Sequence, residues 1–395
     1  MNENQSAQGP LSGIRILDCS TAVSGAFAAT LLGDMGAEVI KVEPHTGDQS
    51  RQWGPFYNGE GRMFQAWNRN KRSISVDLKT DDGLGIFEKL VATADVIIEN
   101  FRVGITQRLR IDYETVRKTK PDIIYCSVTA YGDKGPYQQR PAYDPILQAM
   151  SGAAKGNETY VGNVGICSVA VADYSTALLV VAGVNAALFS RTQTGKGQHV
   201  KTSLMQGVMT VQSHSFLDIP DTEPEGVTGL FPNKIFQGQD GLIHLSAPTL
   251  KFWKILCAVL GAPELADDPR YQTTAGRSAN ADELTLEIEK CLAKRPLAEW
   301  IELLVAENVP CSPILSYDEF FDDPQVTAMN MNPVIHHDKI GRVRTIGVAV
   351  DFESTPGGIQ FPAPVLGEHS AEILGELGYS DSEVQQLTDG KIVLQ

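Results

Sequence analysis

The chain has 395 residues, of which 42% are hydrophobic and 21% charged, and a formal net charge of -15. That length exceeds one ordinary core and predicts two domains. The acidic balance excludes the basic footprint of a nucleic-acid binder, although a local cluster of arginine and lysine can still hold an anion within an acidic envelope.

Residues 14–18 read as a short buried strand, 25–35 as a helix ended by Gly36, and 38–43 as a second strand. The alternation continues with a strand at 73–77, a helix at 81–92, a strand at 95–99, a helix at 113–118 and a strand at 123–128. Strands alternating with helices predict an α/β domain whose mostly parallel sheet is covered on both faces, with its ligand beyond the carboxyl ends of the strands. The segments 20–25, 44–51, 100–108 and 129–144 are therefore the functional candidates. The first contains no GxGxxG fingerprint, only Ser24-Gly25-Ala26, so a dinucleotide reading is weak and a CoA-type or other phosphate ligand stays open.

Asp173 ends the small apolar run 169–172 and precedes an apolar helical pattern over 177–189. A carboxylate there meets free backbone N–H groups and the positive end of the helix dipole, which is the ordinary setting of a helix cap and favours the ionised form. The run 177–189 is too short to span a membrane, and no membrane association is expected. The composition of 211–235 reads as a linker between a large domain (1–210) and a smaller α/β domain (236–328) with helices at 250–260, 281–292 and 297–307. Residues 329–395 read as a return segment, with strand material at 343–351 and a helix at 370–377 rejoining the large domain.

The six cysteines (Cys19, Cys126, Cys167, Cys257, Cys291, Cys311) form no CxxC pair, and the N-terminus has no basic stretch followed by an apolar run. Free thiols and a cytoplasmic location are expected. The histidines show no metal-ligand spacing and no GxSxG elbow occurs, so neither a metal site nor a serine triad is expected. The basic cluster Asn68-Arg69-Asn70-Lys71-Arg72, together with Asn100, Phe101, Arg102 and Arg108, is either an anion site at one sheet edge or a solvated surface. Trp53 and Trp67 cover a ligand or pack a loop.

An ordered series of motifs runs through the chain. It comprises residues 11–18, residues 32–44 (LGDMGAEVIKVEP) with Gly47, Asp48 and Arg51, residues 68–74, residues 99–102, Gly135-Pro136, Tyr143-Asp144, Gln148-Ala149, Ser151-Gly152, residues 194–198 and residues 364–369. Over about residues 11–380 the chain resembles the class III CoA-transferases, a family that includes formyl-CoA and carnitine CoA-transferases and is related to the α-methylacyl-CoA racemases. The resemblance implies a large Rossmann-like domain, a smaller α/β domain and an interlocked homodimer. It implies movement of CoA from an acyl-CoA donor to a carboxylic acid, with Asp173 as the nucleophile and with mixed-anhydride and aspartyl-CoA thioester intermediates. Backbone amides at Val23 and Ser24 would face the thioester, and Tyr143 would pack against CoA or bond a carboxylate. Lys71, Arg72, Asn100, Phe101 and Arg108 would surround the nucleotide and diphosphate, with Arg72 and Arg108 as bidentate anchors. CoA enters as substrate, with no tightly bound cofactor and no metal.

Three departures bear on specificity. Ser24-Gly25-Ala26 stands where many members have a Gly-Pro step, which predicts a softer or differently shaped loop. Tyr143 stands where the racemases carry a histidine; a tyrosine, with a reference pKa of about 10, is a poor base near neutrality. Dispersed glycines (Gly226, Gly229, Gly238, Gly241) replace a glycine run, which removes support for oxalate. The expected acceptor is a small dicarboxylic or branched acid such as succinate, mesaconate, citramalate or itaconate. The alternatives are a 2-methylacyl-CoA racemase and a non-catalytic CoA-binding protein that keeps Arg72 and Arg108.

Overall fold

A computed structural model describes residues 9–221 and 229–394, so Gly226 and the middle of the expected linker lie outside the described residues. The chain divides into a large unit, residues 1–217 with 327–395, and a smaller one, residues 218–326.

In chain order the large unit contains β1 (Arg15–Asp18), α1 (Ser24–Asp34) and β2 (Glu38–Glu43), a two-strand ribbon of β3 (Phe56–Tyr57) and β4 (Glu60–Gly61), then α2 (Arg62–Trp67), β5 (Lys71–Val76), α3 (Asp81–Thr93) and β6 (Val96–Glu99). There follow α4 (Ile105–Arg108), α5 (Tyr113–Thr119), β7 (Ile124–Thr129), α6 (Asp144–Met150), α7 (Ala153–Val161), α8 (Val171–Thr194), β8 (Gln198–Ser203) and α9 (Leu204–Val211). The smaller unit has β9 (Asn233–Gln237), β10 (Leu242–Ser246), α10 (Leu250–Val259), α11 (Pro263–Asp267), α12 (Thr274–Ala279), α13 (Ala281–Leu292), α14 (Leu297–Ala306), β11 (Cys311–Pro313) and α15 (Tyr317–Phe321). After α16 (Pro324–Ala328), the return segment supplies the hairpin β12 (Val334–His337) and β13 (Gly341–Arg344), then α17 (Ser370–Glu376), α18 (Asp381–Asp389) and β14 (Val393–Leu394).

The seven-stranded sheet runs β14-β5-β2-β1-β6-β7-β8. Six strands are parallel, and β14 closes the β5 edge antiparallel. Counting only the parallel strands, the order is 3-2-1-4-5-6, the doubly wound Rossmann arrangement, whose switch point lies between β1 and β6. Period-two alternation divides the core. Leu17, Ile40 and Ile97 point to the face covered by α3, α5, α17 and α18, whereas Ile16, Val39, Val96 and Ile98 point to the face covered by α1 and α8. The smaller unit is α/β with an antiparallel sheet, β11-β10-β9, packed around Phe236, Ile243, Trp253, Leu256 and Trp300.

Helix α8 starts earlier than the apolar run suggests and has 24 residues, long and apolar enough by length and composition to cross a membrane. Its Ala177, Val180, Val184, Ala187 and Leu188 are buried in the core on the β-sheet, the behaviour of a central helix in a globular unit. The strand expected at 343–351 is shorter and lies in the β12–β13 hairpin rather than in the main sheet. All six cysteines are free.

Candidate active site

The loops after β1 and β6 meet at the switch point. The Asn100 side-chain oxygen accepts the Thr21 N–H at 2.9 Å, and its amide donates to the Thr21 carbonyl at 2.7 Å. From the next strand, the Asp48 carboxylate accepts the Ala22 N–H at 3.0 Å and the Thr21 hydroxyl at 3.1 Å. So held, Ala22 takes a left-handed backbone (φ 63°), and the chain turns sharply into α1. Val23 is its buried N-cap and Ser24 its first residue. The close entry requires Gly25: a β-carbon there would lie 2.4 Å from Ser20 Cβ. The loop expected to be soft is thus pinned by two side chains and one tight contact.

The N-terminus of α1 presents N–H groups with no intrahelical acceptor. The Asp173 carboxylate faces it, near enough to the hydroxyl and the N–H of Ser24 for both to favour its anion. Asp173 is therefore not the cap of its own helix; it is the third residue of α8, after the N-cap Ala170, which offers no side-chain cap. The capping group comes from α6. Buried Asp144 Oδ1 accepts the N–H of Ala172 at 2.6 Å and of Asp173 at 3.3 Å. Burial, with the Asp144 charge beside it, pushes the Asp173 carboxyl up from 3.8 to about 7, outweighing the Ser24 hydrogen bonds that favour the anion. The helix dipole alone would predict the opposite direction.

Beneath the loop lies a buried ionic layer. Lys41 Nζ is 2.9 Å from Asp48 Oδ2 and 3.3 Å from Asp18 Oδ2, and Lys71 Nζ is 2.8 Å from the same Asp18 oxygen. Glu43 takes Arg51 at 2.8 Å. Three carboxylates face three cations. Burial opposes the Asp18 charge, but Lys41 and Lys71 hold its carboxyl well below the usual range. Burial draws the Lys71 ammonium down to about 8, against the pull of Asp18 and with Lys41 adding to the fall.

Two of the residues expected around the nucleotide are engaged within the protein. Lys71 is fully buried, and its ammonium is also bonded to the Ala26 and Trp67 carbonyls and to Asn68, leaving no face for a phosphate. Arg72 pairs with Ile40 near the amino-terminal end of the parallel strands, where Glu38, Glu372 and Glu376 engage its guanidinium. The rest of the cluster also faces inward. Arg69 forks onto Asp34 at 3.0 and 2.6 Å and donates to the Ile346 and Gly347 carbonyls, and Asn70 donates to Asp34 and to the Gly358 carbonyl. The basic stretch is the clasp that holds the return segment.

Arg108, at the end of α4 beyond β6, is exposed with no ion-pair partner among the described residues. Asn100 is committed to the Thr21 backbone, so it shapes the loop. Phe101 packs against the core beside a cavity of about 350 Å³ at the carboxyl ends of β6, β7 and β8. There buried Glu99 accepts from the Ser127 hydroxyl and the Phe101 N–H and is raised by burial to about 7, while Ser127 Oγ lies 2.8 Å from His199 Nε2. Asp173 is not among the cavity's lining residues. Tyr143, 56% exposed, precedes Asp144 and reaches Gln49 at 3.4 Å, with no hydrogen bond to Asp173. Trp67 packs inside, donating to the Tyr174 hydroxyl at 3.0 Å, and Trp53 stacks edge-on against it. Among the described residues no group of three or more His, Cys, Asp or Glu is placed to hold a metal ion. Sequence reasoning gave no role to Asp144, Asp48 or the Asp18–Lys41 pair; the signal for the first was the i, i+4 spacing of Asp144 and Gln148.

A doubly wound sheet whose switch point holds a carboxylate at a helix N-terminus is the frame of an α/β enzyme that takes its ligand at the carboxyl ends of the strands. The chain belongs to the CoA-transferase family III, whose model matches residues 11–370. It is 34% identical to succinyl-CoA:glutarate CoA-transferase of Mus musculus, covering 98% of this chain and 91% of the relative. It is 36% identical to acetyl-CoA:oxalate CoA-transferase of Acetobacter aceti, covering 82% and 85%. A crystal structure of a CAIB/BAIF family protein from Brucella suis superposes with a TM-score of 0.82 at 32% identity, covering 94% of this chain and all of that one. The protein is a class III CoA-transferase: it transfers CoA between an acyl donor and a carboxylate acceptor, with CoA as substrate.

Proposed function

We propose that the chain transfers CoA between short dicarboxylic acids, with Asp173 as the covalent nucleophile. The observation that supports the mechanism is the Asp173 carboxylate beside the Ser24 hydroxyl and N–H at the start of α1. An Asp173 oxygen attacks the acyl carbon of the donor thioester, the C–S bond breaks and CoA leaves as thiolate, giving a mixed anhydride. The thiolate attacks the Asp173 carbonyl, the anhydride C–O bond breaks and the donor acid departs, leaving an aspartyl-CoA thioester. The acceptor carboxylate attacks that thioester and again expels thiolate. The thiolate then attacks the acceptor acyl carbon, releasing the new acyl-CoA and restoring Asp173. No proton or electron is gained or lost overall. The first-turn N–H groups of α1, which have no intrahelical acceptor, are suited to the oxyanion formed at each attack. A carboxyl poised near neutrality serves both as nucleophile and as the group expelled in the last step.

The relatives support the dicarboxylate class: those above are named for succinate, glutarate and oxalate. Their identities of 34% and 36% do not separate the longer acids from oxalate. Arg108, an exposed cation beyond β6 with no ion-pair partner among the described residues, is the proposed diphosphate anchor. Exposed apolar side chains on α8, at the end of α9 and in the segment after it, including Leu178, Phe189, Val211 and Leu217, support an interlocked homodimer. A 2-methylacyl-CoA racemase would need two proton-transfer groups about the α-carbon, and Tyr143 in its exposed position is a poor second one.

The test is a screen of acyl-CoA donors against carboxylic acids, read by the masses of the CoA products, with Asp173→Ala in parallel. Wild type yields new dicarboxylyl-CoA species, and Asp173→Ala loses turnover by roughly 10³-fold or more while still binding CoA. Retained turnover in the variant would exclude Asp173 as nucleophile.

A further inference from the structure

Residues 167–173 approach the site without regular structure until α8 begins at Val171. Two side chains of α6, one turn apart, hold them. Gln148, 1% exposed, accepts the Cys167 N–H at 2.8 Å and donates to the Cys167 and Val169 carbonyls at 3.3 and 3.2 Å. The same amide donates to Asp144 Oδ2 at 2.6 Å, which aims Oδ1 at the Ala172 and Asp173 N–H groups. The bond to the nucleophile's own N–H fixes the backbone from which its carboxylate reaches Ser24.

We propose that Asp144, aimed by Gln148, is the positioning residue of the nucleophile: it fixes the first turn of α8 and sets a second negative charge against Asp173. The inference rests on the reading of Asp173 as the nucleophile. Asp144 has a neutral alternative that separates its two roles. The asparagine oxygen can still accept both N–H groups, so Asp144→Asn keeps the cap while removing the charge and the Gln148 bond to Oδ2, whereas Asp144→Ala removes the cap as well.

The surroundings make Asp144 the charge to test. The α1 segment facing Asp173 contributes Ser24. Helix α2 contributes Trp67 through Tyr174, and α9 carries no ionisable residue over Leu204–Val211. On α7, Lys155 and Glu158 pair with each other. Among the described residues the charge that acts on Asp173 is that of Asp144, and the upward direction of the Asp173 titration agrees with its sign.

The experiment is the pH dependence of kcat and kcat/KM for CoA exchange in wild type, Asp144→Asn and Asp144→Ala, with peptide mass spectrometry of the enzyme-bound thioester. Wild type should lose activity toward acid with a midpoint near 7. In Asp144→Asn the midpoint should move down by roughly one pH unit, with KM for acyl-CoA kept within about twofold. Asp144→Ala should in addition lose roughly 100-fold in kcat through misplacement of the carboxylate. An unmoved acid limb in folded Asp144→Asn overturns the proposal, and so does full kcat in Asp144→Ala. If Asp144→Ala does not fold, the decision rests on Asp144→Asn. Failure of the underlying reading looks different: no thioester on the Asp173 peptide of wild type, whatever the pH profiles.

Discussion

Placing a carboxyl with a raised pKa at the switch point stores a pH-dependent strain that Asp173→Asn should release. The side chain titrates near 3.8 in the unfolded chain and at about 7 in the folded one. Because the folded value is raised, both states are protonated below about pH 4 and the group has no effect on stability there. Between the two values the unfolded state gives up its proton first, so each added pH unit costs the fold stability, and above 7 the cost is constant. Roughly three units at ~1.4 kcal/mol each set a ceiling of about 4 kcal/mol. Asp173 is partly exposed, so solvent screening lowers the working figure to about 2 kcal/mol. Asparagine keeps an oxygen for Ser24 and carries no charge to desolvate. The melting temperature of Asp173→Asn should therefore match wild type at about pH 4 and exceed it by roughly 3 °C at about pH 8, the scale for a unit of this size. Differential scanning calorimetry across that range measures it. A difference that does not grow with pH, or a variant less stable than wild type at pH 8, would refute the assignment of a strained carboxyl, independently of any activity assay.

The remaining outcomes concern the groups around Asp173. Arg108→Ala should raise KM for acyl-CoA about tenfold with kcat kept, as loss of uniform binding requires. Arg72→Ala should leave that KM within about twofold while lowering the melting temperature, because its guanidinium is held by Glu38, Glu372 and Glu376; steady-state kinetics on both variants would expose a reversed assignment. Gly25→Ala puts a methyl 2.4 Å from Ser20 Cβ and must push α1 away from the loop. It should cost about 1–3 kcal/mol and roughly 100-fold in kcat, and wild-type turnover in this variant would mean that the position of α1 does not control the chemistry.

Much of the frame was legible in the chain. Strand-length apolar runs separated by helical periodicity placed the first five parallel strands within a few residues. The two-residue β14 was too short to register as a pattern, and β8 (QHVKTS) is polar enough that only its pairing with β7 reveals a strand. Resemblance located Asp173, but local pattern misread its role. A carboxylate before an apolar run looks like a cap, whereas its first turn is capped by Asp144, 29 residues away.

The sequence by itself determined the alternation that builds the doubly wound sheet and the family, since these depend on local periodicity or on ordered motifs. Only the tertiary structure decided which charges face inward. Arg69, Asn70 and Lys71 read as an anion site, yet their acceptors are Asp34, the carbonyls of Ile346, Gly347 and Gly358, and Asp18. A lysine or arginine in a sequence is a charge without a direction. Its direction is settled by desolvation, which is tolerable only where acceptors converge on it. Here those acceptors come from segments up to 288 residues distant. The same rule placed Asp173: the Ser24 N–H, nearly 150 positions earlier in the chain, and the Asp144 charge together determine where its carboxylate rests and at what pH it ionises.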